Sequence, residues 1–296
     1  MFEQLYYWKT FIHIEIAFPQ ECKEERWGLM YMEPVEIYRS DPLSAIITSI
    51  PHGASQITTE MKAMMRPNTI LSNNDWFLKE LYSFLGSLNI TTISANYSRY
   101  VIDVNRDVKN TLVRDEYTRS LVYEKSTFGK SIYHAPLSQD IISNRIEAIY
   151  LPYHNCLSEQ ITRSLKKYNK AFLFDLHSFY IQSKADIVLG TYEGKACSME
   201  LMEIVYNAFV SERFVVEIDA RGLTGGYIVS KYSSIKNVEA IQIEMRYTTY
   251  IENRIFGEEE VITKNDNLFK ETQERLIRVF KNISDNIEVK ILDRKC

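Results

Sequence analysis

Few folds accommodate the run Phe172-Leu173-Phe174-Asp175-Leu176-His177-Ser178. It reads as a short, mostly apolar strand that ends in a polar cluster. Side chains on a strand alternate between faces, so Phe174 and Leu176 share one face while Asp175 and His177 share the other. A carboxylate beside a histidine at the end of a buried strand is a metal-site or catalytic arrangement, provided other parts of the chain bring partners to it. The other motifs read as those partners.

Ala45 to Gly53 repeats the pattern, with an apolar β-branched run ending in Pro51-His52-Gly53. Such runs suit strands buried on both faces of a largely parallel sheet. In open α/β sheets ligands bind beyond the carboxyl ends of the strands, which is where His52 falls. Alone, His52 is as well explained by a turn; beside His177 a ligand role is favoured. Thr91 to Ala95, Ala185 to Gly190 and Val215 to Ile218 read as further strands. Ala240 to Arg246 alternates so that Gln242, Glu244 and Arg246 face one way and Ile241, Ile243 and Met245 the other. Glu244 and Arg246 fit either an internal ion pair or an acid/base with a substrate clamp. Val289 to Leu292 is expected to add an edge strand.

Asn73 to Gly86 has helical spacing at 77, 78, 81, 84 and 85, with Gly86 as the expected stop. Asp75 then falls at the first turn, as a cap or as a metal carboxylate. Ser138 to about Tyr168 is helical and is expected to break or kink at Pro152, with a second piece beginning there and the proline in its first turn. That break would put His154 at a helix start, where it is either packed or held as a neutral imidazole. Cys197 to Glu212 and Asn267 to Ile283 read as helices, the last burying Leu268, Leu276, Ile277 and Phe280. In Ser98 to Asp107, Arg99 and Arg106 flank Asp103 and Asn105. Arginine's planar fork matches carboxylates, so this segment reads as an anion clamp or as surface ion pairs. Residues 108–137 read as a polar excursion. Gly225-Gly226-Tyr227 marks a turn where the backbone approaches something closely or takes a positive φ. His13, in an alternating 11–16 segment, and His134, in a loop, are expected to be structural.

The 296 residues are 45% hydrophobic and 25% charged, an ordinary globular composition with enough chain to bury a large core. A net charge of -4 argues against a general nucleic-acid binder. Cys22, Cys156, Cys197 and Cys296 form no C-x-x-C pair, which suits free thiols in a reducing compartment. The first residues lack a basic segment followed by an apolar run, and no stretch approaches 18 consecutive apolar residues. A cytoplasmic protein without a membrane span is therefore expected.

Two strand-end histidines, a further carboxylate and a strand-borne glutamate are the parts of a mononuclear zinc hydrolase. In such enzymes the metal activates a water and polarises a carbonyl, while a glutamate moves the proton to the leaving nitrogen. Six motifs, in order, resemble those of the N-formylglutamate amidohydrolases: Pro51-His52-Gly53, Ser98 to Arg106, Pro152-Tyr153-His154, Asp175 to Ser178, Gly225-Gly226-Tyr227 and Ile243 to Arg246. The resemblance runs from about 46 to 250. It implies a phosphorylase/hydrolase-like, three-layer α/β/α sandwich with a mixed, largely parallel sheet. A single α/β hydrolase domain over 1–296 is expected, with 1–44 as an N-terminal extension.

The resemblance further implies Zn2+ held by His52 and His177. In the related zinc carboxypeptidases a glutamate three residues after the first histidine is the third ligand; here that residue is Ser55. Asp75 is assigned instead, with Glu60 as the alternative. Glu244 matches the general base, and Asn105 and Arg106 match the pair that binds a substrate carboxylate. Arg99, Arg246 and His154 are further substrate contacts. The implied substrate is a small anionic N-acyl amino acid such as N-formyl-L-glutamate, with no nucleic-acid or membrane partner. Ala220 to Thr224 departs from the family pattern. A carboxypeptidase-like hydrolase of peptides or cell-wall amides, and a binding protein that retains the fold, are the rival readings.

Overall fold

The structure is a computed structural model and describes residues 32–112 and 119–289. Seven strands among them form one sheet: β1 (Val35–Tyr38), β2 (Ile46–Ile50), β3 (Thr91–Ala95), β4 (Ala171–Phe179), β5 (Ile187–Gly190), β6 (Val216–Ile218) and β7 (Val238–Arg246). Their order is β1-β3-β2-β4-β7-β5-β6. The central strands β3, β2, β4 and β7 run parallel, β1 and β5 are antiparallel to their inner neighbours, and β6 follows β5 in parallel. The sheet is therefore mixed and largely parallel, as the long apolar runs require.

Helices cover both faces: α1 (Thr59–Met64), α2 (Leu78–Leu81), α3 (Gln139–Arg145), α4 (Leu151–Tyr168), α5 (Met199–Ser211), α6 (Tyr227–Ser233) and α7 (Asp266–Ile287). The alternation of β4 and β7 divides the core. Phe172, Phe174, Leu176, Ile241, Ile243 and Met245 pack against α2, α5 and α7. Leu173 and Ala240 face α4 and α6. Asp175, His177, Gln242 and Glu244 point to that second side by the same alternation. Among the described residues no helix is long and apolar enough to cross a membrane.

Several expected elements differ. The 73–86 helix is only the short α2 followed by a 3-10 turn, Ser83–Leu88, and the chain stops at Asn89 in the left-handed region (φ 57°), not at Gly86. Phe77, not Asp75, is the residue before α2, also left-handed (φ 59°). Pro152 stands in the first turn of α4, as expected, but no break separates that helix from the one before it. A π turn, Ile146–Tyr150, joins α3 to α4 without a gap, and its wider turn accommodates a proline that lacks an N–H. The 108–137 segment is not merely polar: Leu121, Val122, Tyr123, Ile132 and Tyr133 are buried. In α7 the buried stripe is Phe269, Thr272, Leu276, Val279, Phe280, Ile283 and Ile287, so Leu268 and Ile277 sit at its margin. Helical backbone continues to Val289, and the rest of the expected 289–292 strand, like the 11–16 segment with His13, lies outside the described residues. His134 is exposed.

Candidate active site

Strand register sets the site. Ser49 of β2 lies opposite Asp175 of β4, which lies opposite Gln242 of β7; two residues further out, His177 faces Glu244. His52 follows the end of β2. The backbone N–H of Asp75 donates to the His52 carbonyl at 3.0 Å, which brings the segment before α2 over the strand ends. His52, Asp75, Arg99, Asn105, Arg106, His177, Gln242 and Glu244 all line one cavity of about 600 Å³, as do Gly225 and Gly226.

One nitrogen of each of His52 and His177 and one oxygen of Asp75 lie within 4.8 Å of one another, and all three residues are buried. Asp75 Oδ2 is 3.0 Å from His177 Nδ1 and 3.9 Å from His52 Nδ1. His52 Nδ1 is buried without a hydrogen-bond partner among the described residues. The opposite nitrogen of each ring is tied to a carboxylate: His52 Nε2 to Asp103 Oδ1 at 2.7 Å, and His177 Nε2 to Asp175 Oδ2 at 2.9 Å. Carboxylates accept and do not donate, so both Nε2 atoms carry hydrogens, and Nδ1 of each ring is the nitrogen turned toward Asp75. Histidines that ligate metals are held in this way.

The electrostatics agree with that reading. Burial, reinforced by Arg99, lowers the pKa of His52 to about 4 and so keeps its ring neutral. Burial works against a charge on His177 too, but Asp175 and Asp75 outweigh it and raise its pKa well above the usual value. The same two carboxylates would favour a metal cation beside His177. Burial likewise opposes the charge on Asp103, yet His52, Arg106 and Arg99 hold it well below the carboxylate range. Burial pushes Glu244 up to about 7, partly offset by His177. Gln242 Nε2 donates to Glu244 Oε1 at 2.7 Å, and Glu244 Oε2 has no partner among the described residues.

The remaining expected residues divide. Arg99 and Arg106 line the cavity while also holding Asp103, at 3.0 Å (Nη2) and 3.9 Å (Nε) from its Oδ2. Asn105 lines it too, but its amide is engaged: Nδ2 lies 3.0 Å from His177 Nε2 and 3.3 Å from Asp175 Oδ2, and Oδ1 accepts from Ile228 N at 2.8 Å. Arg246 is outside the lining; its Nη2 pairs with Asp186 at 2.6 Å and its Nη1 donates to the Ser183 carbonyl at 2.6 Å. His154 is also outside, buried between Tyr232 and the Val104 carbonyl, and it lies within a continuous helical run and not at a helix start. Glu60 is taken by Arg145, whose Nη2 is 3.0 Å from its Oε1.

Sequence reading assigned no role to Ser49, Asp103, Tyr123 or Gln242. Asp103 is the hub of its loop: it also accepts from Asn105 N at 2.8 Å and from the Tyr123 hydroxyl. Gln242 was detectable by alternation, since it shares the Glu244 face. Tyr123 gave no signal, because it arrives from an aperiodic segment.

A family model of the N-formylglutamate amidohydrolases matches residues 44–251. N-formylglutamate deformylase from Pseudomonas aeruginosa is 27% identical over 224 residues, covering 71% of this chain and 83% of that protein. The Pseudomonas putida protein of the same name is 26% identical over 240 residues, covering 77% and 88%. The crystal structure of N-formylglutamate amidohydrolase from Ralstonia eutropha JMP134 shares the fold, with a TM-score of 0.73 at 18% identity over 90% of this chain and 100% of that one. The matched span contains β2 to β7 and every residue named in the cavity, and the chain belongs to the N-formylglutamate amidohydrolase family.

Proposed function

We propose that this chain is a zinc-dependent amidohydrolase that removes the formyl group from an N-formylated acidic amino acid, N-formyl-L-glutamate foremost. The observation that carries the reading is the His52, Asp75 and His177 donor set facing one point beside the half-free carboxylate of Glu244. The names of the two Pseudomonas relatives support the substrate. Two imidazoles and one carboxylate, each imidazole backed by a second carboxylate, are a donor set that suits catalytic Zn2+. Asp75 supplies the third donor that Ser55 cannot. When bound, the ion supplies a Lewis acid that polarises the formyl carbonyl and makes a water more acidic.

The protein's own groups do the rest. Glu244 takes a proton from the attacking water on its free Oε2 while Gln242 holds Oε1. The water oxygen bonds to the formyl carbon, the C–N bond breaks, and Glu244 returns the proton to the leaving nitrogen, giving formate and the amino acid. Arg99 and Arg106 supply the positive charge for the substrate carboxylates. Both lie at the cavity wall, whereas Arg246 and His154 do not, so substrate binding is assigned to the former pair, with Asn105 at the wall between them and His177.

Formate release from N-formyl-L-glutamate by protein supplied with zinc, against a chelated control, tests the reading. Zinc-dependent release is expected. Zinc-loaded protein that releases no formate rejects the substrate.

A further inference from the structure

The motif from Tyr150 to His154 takes no part in that chemistry, yet three of its side chains reach the site's supports. Tyr150 closes the π turn, and its hydroxyl donates to the Arg106 carbonyl at 2.9 Å. His154 Nε2 lies 2.9 Å from the Val104 carbonyl. A carbonyl only accepts, so Nε2 carries the hydrogen and Nδ1 accepts from the Tyr232 hydroxyl at 2.9 Å. Tyr153 extends the other way. Its hydroxyl is 2.8 Å from Ser49 Oγ, and Ser49 Oγ donates to Asp175 Oδ1 at 2.7 Å. The serine hydroxyl has one hydrogen, given to the carboxylate, so Tyr153 is the donor to Ser49. Asp175 in turn holds His177.

A π turn inserts one residue into a helix and rotates the turns beyond it, and such turns recur at functional sites. Here the turn brings Tyr150 and His154, four residues apart and so on one face, onto the Val104 to Arg106 backbone, while Tyr153 points down at the sheet.

We propose that Tyr150, Tyr153 and His154 are positioning residues with divided tasks. Tyr153 orients His177 through Ser49 and Asp175. Tyr150 and His154 hold the Arg106 and Val104 carbonyls and so fix the backbone that presents Arg106 to the cavity. The substrate half of this inference rests on the proposed deformylase activity; the metal half does not.

Tyr153→Phe and Tyr150→Phe each remove one oxygen and leave the ring in place, and urea unfolding checks that both variants remain folded. Zinc affinity is read by competition with a chromophoric chelator, and KM and kcat on N-formyl-L-glutamate at saturating zinc. One lost hydrogen bond corresponds to roughly a fivefold effect. Tyr153→Phe is expected to weaken zinc binding about fivefold and leave KM unchanged. Tyr150→Phe is expected to raise KM about fivefold and leave zinc affinity unchanged. His154→Gln keeps a donor near Nε2 and is expected to preserve KM where His154→Phe raises it. Variants that shift both readouts together, or shift neither, overturn the division of tasks. Wild-type protein that binds zinc but releases no formate rejects the deformylase reading, and with it the substrate half; the Tyr153 half is still decided by zinc affinity.

Discussion

In the proposed reaction Glu244 depends on an unequal pair of oxygens. Gln242 holds Oε1 and leaves Oε2 to exchange a proton. Glu244→Gln keeps the shape and removes the basicity, so turnover is expected to fall about 10²- to 10⁴-fold with zinc content unchanged. Turnover near the wild-type rate in a zinc-replete variant would remove Glu244 from the role of base. As the proposed base Glu244 acts in its charged form, and burial raises its pKa to about 7. A bound cation stabilises that charge and lowers the value. The rate is therefore expected to rise with pH along an acid limb at or below about 7; a limb well into the alkaline range contradicts the assignment. At this scale sequence reading succeeded where alternation governs and failed where reach does. The face shared by Gln242, Glu244 and Arg246 was legible, but the length of Arg246 carries its head to Asp186. The five polar contacts of Asp103 come from β2's exit, its own loop and Tyr123, and no local pattern announces them.

Strands β2 and β4 were readable as elements because each is buried throughout and is mostly apolar, and β7 because its residues alternate. The α3 to α4 junction was not readable. Proline usually stops a helix, and only the π turn before it, a property of the backbone, explains why this one does not. The paired glycines were legible as a close approach, though not as to what. A Cβ added at Gly226 would lie 2.5 Å from Asn105 Nδ2, and Gly225 holds φ at +120°. Gly226→Ala therefore displaces Asn105 from Asp175 and His177. It is expected to cost about 1–3 kcal/mol of stability, as overpacking does, and to lower kcat/KM at least tenfold, the loss expected when a positioning contact worth about 1.4 kcal/mol is gone. Wild-type values for both in Gly226→Ala would show that the contact between loop and turn does not matter.

The whole molecule responds to pH through a residue with no place in the cavity. Burial, with help from Lys231, lowers the pKa of His154 to about 3. Between about 6.5 and about 3 the unfolded chain binds a proton there that the native protein refuses. His154's contribution is thus intact above 6.5 and is lost progressively as pH falls, by up to about 1.4 kcal/mol per pH unit. Comparing unfolding free energies of wild type and His154→Gln between pH 6 and 4 checks this; the wild type is expected to show the steeper decline, and parallel curves would refute it.

The proposed metal donors also lie far apart along the chain: His177 and Asp75 are 102 positions apart, and Ser49 and Asp175, the pair that backs His177, are 126 apart. Their meeting needs β2 and β4 paired, so an ion has little to seize in a chain still searching for its topology. In the proposed enzyme zinc would thus arrive late, on a finished sheet, and take no part in nucleating it. Stopped-flow experiments are expected to find refolding equally fast with zinc or chelator and unfolding slowed by zinc alone. Zinc-accelerated refolding would mean that the donors assemble before the strands do.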